Sequence, residues 1–150
     1  MNSCSPCTGG KFSVACLTPW FPRVAFGLVM VAYGVNHYRF VDGFSGMSSG
    51  ALAPVPFLAT IAGLLAYIVP ALMIVGGALF AVKQLCSVSK ICIVASLSGI
   101  IGWAALAVLI GSDEAGMNFM PAIQNASILL ILYWVIKKMS CCGSSCPTTK

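Results

Sequence analysis

From Pro56 to Val82 the chain carries no charged side chain. A helical run of that kind fits lipid better than water. The hydrocarbon core of a bilayer is about 30 Å thick, and at about 1.5 Å per residue roughly 20 apolar residues cross it. Three more runs are predominantly apolar, Trp20 to Tyr38, which contains Arg23, and Ile91 to Ile110 and Phe119 to Ile136, which carry no charge. Their continuous apolar character predicts helices, because barrel strands alternate apolar and polar residues over about ten positions. Composition points the same way. The chain is 59% hydrophobic and 7% charged, whereas a soluble domain needs about 25% charged residues to cover its surface. A soluble enzyme, a nucleic-acid-binding domain and a disordered chain are excluded on that ground.

The expected fold is therefore all-α: a polytopic membrane protein built as an antiparallel four-helix transmembrane bundle over residues 20–138. Cysteine-rich tails flank it at residues 1–19 and 139–150. Met1 to Lys11 is polar and lacks the apolar stretch of a cleavable signal, so none is expected. The connections read as a Gly-, Ser- and Pro-containing loop from Arg39 to Val55, a short basic loop from Lys83 to Lys90, and a short acidic loop from Gly111 to Asn118.

Four spans place both termini on one side. Lys11, Arg23, Lys83, Lys90, Lys137, Lys138 and Lys150 fall on that side, while Arg39, Asp42, Asp113 and Glu114 fall on the other. Lys and Arg in short loops stay cytoplasmic, which predicts a multi-pass plasma-membrane protein with both termini inside. The basic residues mark orientation and can touch anionic lipid. Membrane lipids are the expected partners, and nucleic acid is not.

In that topology every cysteine lies at the cytoplasmic end. Cys4, Cys7 and Cys16 precede the first span, Cys86 and Cys92 flank the basic loop, and Cys141, Cys142 and Cys146 follow the last. Cytosolic thiols are kept reduced, so free thiols are the favoured reading. Thiolates can also hold a soft metal ion, and Cys4, Cys7, Cys141, Cys142 and Cys146 are the weaker metal-site candidates.

Polar groups inside a span are functional suspects. Tyr33, Asn36 and His37 lie near the outer end of the first span, and Gln124 and Asn125 lie in the second turn of the fourth. All five share one leaflet and could hydrogen-bond a quinone head group, with Tyr33 or Phe119 against its ring. The plainer reading, which weighs more, is that they anchor helix ends at the interface. Arg23 is expected to snorkel to the headgroups. Pro70 should kink its helix, and Gly76-Gly77 weakens it further. Ala95 with Gly99 and Ser98 with Gly102 form small-x-x-x-small pairs that let helices approach closely. No span holds a carboxylate, a haem-ligand pair or a nucleophile beside a base, so no catalytic residue is assigned.

The segment Arg23-Val-Ala-Phe-Gly27-Leu-Val-Met-Val-Ala-Tyr-Gly34-Val-Asn36-His37 resembles the opening helix of the DoxX-like family of small four-helix bacterial membrane proteins. The glycines near Pro70 to Gly77 and the four-span layout fit as well. That resemblance implies a subunit or partner of a bacterial membrane redox system, such as a thiosulfate:quinone oxidoreductase, with a quinone nearby. The family often carries a glutamate in the second helix, where this chain reads Tyr67-Ile-Val-Pro70-Ala; the cysteine-rich tails also depart from the pattern. Taken together, the expectation is a non-catalytic accessory or structural subunit of a larger redox or energy-converting membrane complex. The alternatives are a quinone-interacting oxidoreductase subunit and a thiol- or metal-handling membrane protein.

Overall fold

The structure, a computed structural model, describes residues 20–111 and 113–141. It holds five helices: α1 Trp20–Arg39, α2 Val41–Ala51, α3 Pro56–Val82, α4 Cys86–Ile110 and α5 Asp113–Cys141, with no strand among the described residues. Three helical stretches are long and apolar enough to cross a membrane: Pro56–Val82, Cys86–Ile110 and Phe119–Lys138. Helix α1 is long enough, at 20 residues, but Arg23, Asn36, His37 and Arg39 keep it out of that class.

Helix α1 packs most extensively on α3, α3 on α4, and α4 on α5; α5 touches α1 only lightly. Phe26 and Met30 of α1, Met73 and Phe80 of α3, Ile93 and Leu97 of α4, and Leu129, Tyr133 and Ile136 of α5 converge in one core. The α1–α3 pair is antiparallel. Arg23 meets Phe80, Gly27 meets Gly77, Gly34 meets Pro70 and Ile74, and Tyr38 meets Tyr67.

Glycine sets the closeness of that pair. A methyl group on Gly27 would lie 2.6 Å from the Gly77 carbonyl oxygen, and one on Gly77 would lie 2.7 Å from that of Gly27. On Gly34 it would lie 2.6 Å from Ile74 Cγ1 and 2.8 Å from the Pro70 carbonyl oxygen. Small residues at such crossings let backbones gain the dispersion contacts that hold helices together in lipid. Helix α3 is one helix through Pro70, which is fully buried. Four residues earlier the Ala66 carbonyl lacks a donor, and beside it the Tyr67 carbonyl accepts the Tyr38 hydroxyl at 2.9 Å.

The structure corrects four expectations. Residues 41–51 form α2 rather than loop. Three glycines and three serines weaken its intrinsic propensity, but Phe44, Ser48, Ala51 and Leu52 form a helix-spaced inward stripe, with Ser48 and Leu52 almost wholly buried. Burial of one face outweighs propensity. Ser48 and Ser49 donate back to the Phe44 and Ser45 carbonyls, each at 2.8 Å, which keeps their hydroxyls satisfied.

Helix α4 starts at Cys86, so the basic connection shrinks to Lys83–Leu85. Helix α5 starts at Asp113 and absorbs most of the acidic stretch. The fourth correction concerns Arg23. It is buried and does not snorkel; its Nε–H donates to the Phe80 carbonyl at 2.6 Å, and its guanidinium lies 5.1 Å from the Phe80 ring centre.

The end of α3 closes in a Schellman arrangement. The Gln84 N–H donates to the Leu79 carbonyl at 3.2 Å and the Lys83 N–H to that of Phe80 at 3.4 Å. Lys83 adopts φ 61°, the left-handed conformation usually left to glycine. A side chain there costs about 1–2 kcal/mol, and Lys83 is exposed. Lys83→Gly is therefore expected to stabilise the chain by about 1 kcal/mol. Thermal unfolding in detergent checks this, and a lower midpoint would contradict the left-handed cap.

Candidate functional site

The end of the molecule away from Arg23 holds a cavity of about 240 Å³. Tyr33 and His37 of α1, Phe44 of α2, Met73 of α3, Leu97 and Ile100 of α4, and Ala122, Asn125 and Leu129 of α5 line it. A narrower pocket of about 30 Å³ adjoins it and shares His37, Phe44, Ile100 and Ala122; Ser48, Trp103 and Phe119 also line that pocket. The walls of both are predominantly apolar. An apolar cavity of about 150 Å³ already accepts a benzene-sized ring, so the larger space is ample for one.

Each polar group reaches the cavity for a local reason. Tyr33 and His37 are four residues apart on α1, hence on one face. The His37 ring makes a 3.2 Å hydrogen bond through Nδ1 to the Tyr33 carbonyl. A carbonyl only accepts, so Nδ1 carries the proton, and in the neutral ring Nε2 is left as an acceptor. Phe44 meets the His37 ring edge-on, with centroids 4.7 Å apart. This contact holds the imidazole against α2. Asn125 comes from α5, across the seam from α1. Neither the Tyr33 hydroxyl nor the Asn125 amide has a hydrogen-bond partner among the described residues.

Depth matters for what these groups cost. Gly34 sits against Pro70 and Ile74, near the middle of α3. Its neighbour Tyr33 is therefore level with the centre of a span-length helix rather than its end. Polar groups at that depth are expensive unless something pairs with them.

Of the five polar residues singled out by sequence, the cavity gathers Tyr33, His37 and Asn125. Asn36 and Gln124 are exposed and line neither space. Sequence reasoning missed Phe44, Ser48 and Trp103. Phe44 and Ser48 were read as loop, and their helical spacing was the available signal. The Trp103 indole Nε1 is buried without a hydrogen-bond partner among the described residues.

The small-residue strip lies elsewhere. Ala95, Ser98 and Gly102 are exposed on α4, a methyl on Gly102 would meet nothing, and one on Gly99 would meet only Val69 Cγ2, at 4.0 Å. Cys4, Cys7, Cys142 and Cys146 lie outside the described residues, as does Cys16, and Cys141 ends α5. Cys86 is exposed and Cys92 buried, both as free thiols. No group of three or more His, Cys, Asp or Glu side chains comes together among the described residues.

No protein-family model, curated protein or solved structure matches the chain.

Proposed function

We propose that this chain is a membrane-embedded binding subunit that takes a quinone head group in the cavity between α1 and α5. The observation that carries this reading is the cavity itself. It is ring-sized and apolar, and it brings together Tyr33, His37 and Asn125 from two helices. The two carbonyl oxygens of a quinone need donors, which the Tyr33 hydroxyl and the Asn125 amide supply; the quinol form needs an acceptor, which His37 Nε2 supplies. The quinone role follows from the resemblance of the Arg23-to-His37 segment to the DoxX-like family, and so does the setting in a bacterial plasma membrane.

In this reading α1, α3, α4 and α5 form a four-span antiparallel bundle with both termini in the cytoplasm. Contacts among Phe26, Phe80 and Tyr133, with ring centroids 5.5–6.0 Å apart, tie the start of α1 to the ends of α3 and α5. Lys83, Lys90, Lys137 and Lys138 flank that end, as the positive-inside rule asks of a cytoplasmic face. The accessory-subunit reading draws on a different observation: the Ala95–Ser98–Gly102 strip is uncovered, leaving a smooth face on α4 for a partner's helix.

Equilibrium titration of the purified protein with a short-tailed benzoquinone tests the cavity. Asn125→Leu is expected to weaken binding about tenfold, the worth of one or two hydrogen bonds in a dry site, while leaving the thermal midpoint unchanged because Asn125 holds no other element in place. Equal affinity in wild type and variant would remove the quinone assignment and leave the accessory role in its place.

A further inference from the structure

We infer that the cavity opens sideways into the bilayer, through the seam between α1 and α5, and that its occupant arrives from the lipid phase with an apolar tail trailing through that seam. The inference rests on the binding role proposed above and adds the route and the class of ligand, a ring-headed lipid rather than a water-soluble metabolite.

Three observations carry it. First, α1 and α5 touch only lightly, whereas the other neighbouring long helices pack closely. Second, exposure of the lining is uneven. Tyr33 and Asn125, one on each side of the seam, are exposed, whereas Met73 and Leu97 at the floor are buried. Tyr33 is level with the middle of α3, so the opening meets hydrocarbon and not water. Third, the end nearest the α1–α2 connection is stoppered. Phe44 packs on His37, and α2 is pinned at its far end by Ala51 and Leu52, both buried, with Ala51 in a cluster with Ala104, Ala107 and Phe119. A charged or strongly hydrated molecule would have to displace that plug or cross lipid, whereas a lipid-dissolved ring has only to slide inward.

The test uses a cysteine reporter and needs no identified ligand. Ala122→Cys places a thiol on the wall shared by both spaces, and mapping the modified peptide by mass spectrometry separates it from the native cysteines. In lipid nanodiscs, the neutral reagent methyl methanethiosulfonate is expected to modify position 122 about tenfold or more faster than a sulfonate-bearing methanethiosulfonate, because the charged reagent must shed its hydration to enter. Adding Asn125→Trp, which plugs the seam, should slow the neutral reagent by a similar factor.

Comparable rates for the two reagents would overturn lateral entry, as would faster modification after Phe44→Ala with no effect of Asn125→Trp. The reagent comparison in the single Ala122→Cys variant decides the matter even if the plugged variant fails to fold. If the seam controls labelling while the benzoquinone fails to bind, the entry route stands and the quinone assignment falls.

Discussion

Gly77→Leu is expected to destroy the folded state, and Gly77→Ala to cost about 1–3 kcal/mol, the usual penalty of overpacking a tight interface. The reason is what stands in the way. A Cβ at position 77 would lie 2.7 Å from the Gly27 carbonyl oxygen and 2.7 Å from Met30 Cβ, with the Val31 nitrogen at 3.2 Å. These are backbone and first-carbon atoms, which cannot swing aside as the end of a long side chain can. The helices would have to separate, and the α1–α3 contact, the most extensive in the molecule, would loosen along its length. Gly102→Ala is the matched control. It faces open space, so it should gain up to about 1 kcal/mol of helix propensity. Thermal or denaturant unfolding of the two variants in the same detergent decides between them. Similar behaviour of Gly77→Ala and Gly102→Ala would mean that α1 and α3 do not approach as closely as described.

That contrast shows what the sequence could and could not reveal. Apolar run length identified the long helices, because the length needed to cross lipid is a physical constant that composition alone can meet. The end of α3 at Val82 coincides with the end of its uncharged run, just before Lys83, and Pro56 marks its start. Which small residues carry close packing was not legible. Ala95, Ser98, Gly99 and Gly102 and the pair Gly27 and Gly34 all have spacings that put small residues on one helix face. Only the rotation of each helix about its axis decides which face meets a neighbour. Gly76-Gly77, read from sequence as a weak point in a helix, is a contact surface in the structure. Helix α2 was hidden because its glycines and serines dominate its composition, while its inward stripe rests on a few side chains. The polar cluster was half legible. Helix spacing put Tyr33 and His37 on one face, but Asn125 and Gln124 are adjacent in sequence, and the turn of the helix brings only the first of them to the cavity.

The second large effect is expected at Arg23, where a charge sits inside the packed end of the molecule. Its Nε–H donates to the Phe80 carbonyl and its guanidinium covers the Phe80 ring. Phe80 lies in the last turn of α3, where its carbonyl otherwise accepts the long 3.4 Å bond from the Lys83 N–H and stands at the negative end of the helix dipole. One side chain therefore supplies a charged hydrogen bond, worth about 1.5–3 kcal/mol, a cation–ring contact of about 0.5–2 kcal/mol, and a favourable dipole interaction. Desolvation of the guanidinium offsets part of that sum. Arg23→Ala is expected to cost about 2–4 kcal/mol on balance. Arg23→Lys should recover only part, since an ammonium cannot lie flat on the ring while donating sideways to the carbonyl. Arg23→Glu should be the worst of the three, because it sets a negative charge against a carbonyl and a ring face. Unfolding midpoints in detergent give the order directly, and an Arg23→Ala variant as stable as wild type would show that the contact holds nothing together. The consequence reaches the cavity as well. Arg23 with Phe80 at one end and Tyr38 with Tyr67 at the other fix the register of α1 along α3, and that register places Tyr33 and His37 opposite Asn125. Loss of the Arg23 end should therefore weaken ring binding by the short-tailed benzoquinone even though Arg23 itself is remote from the cavity.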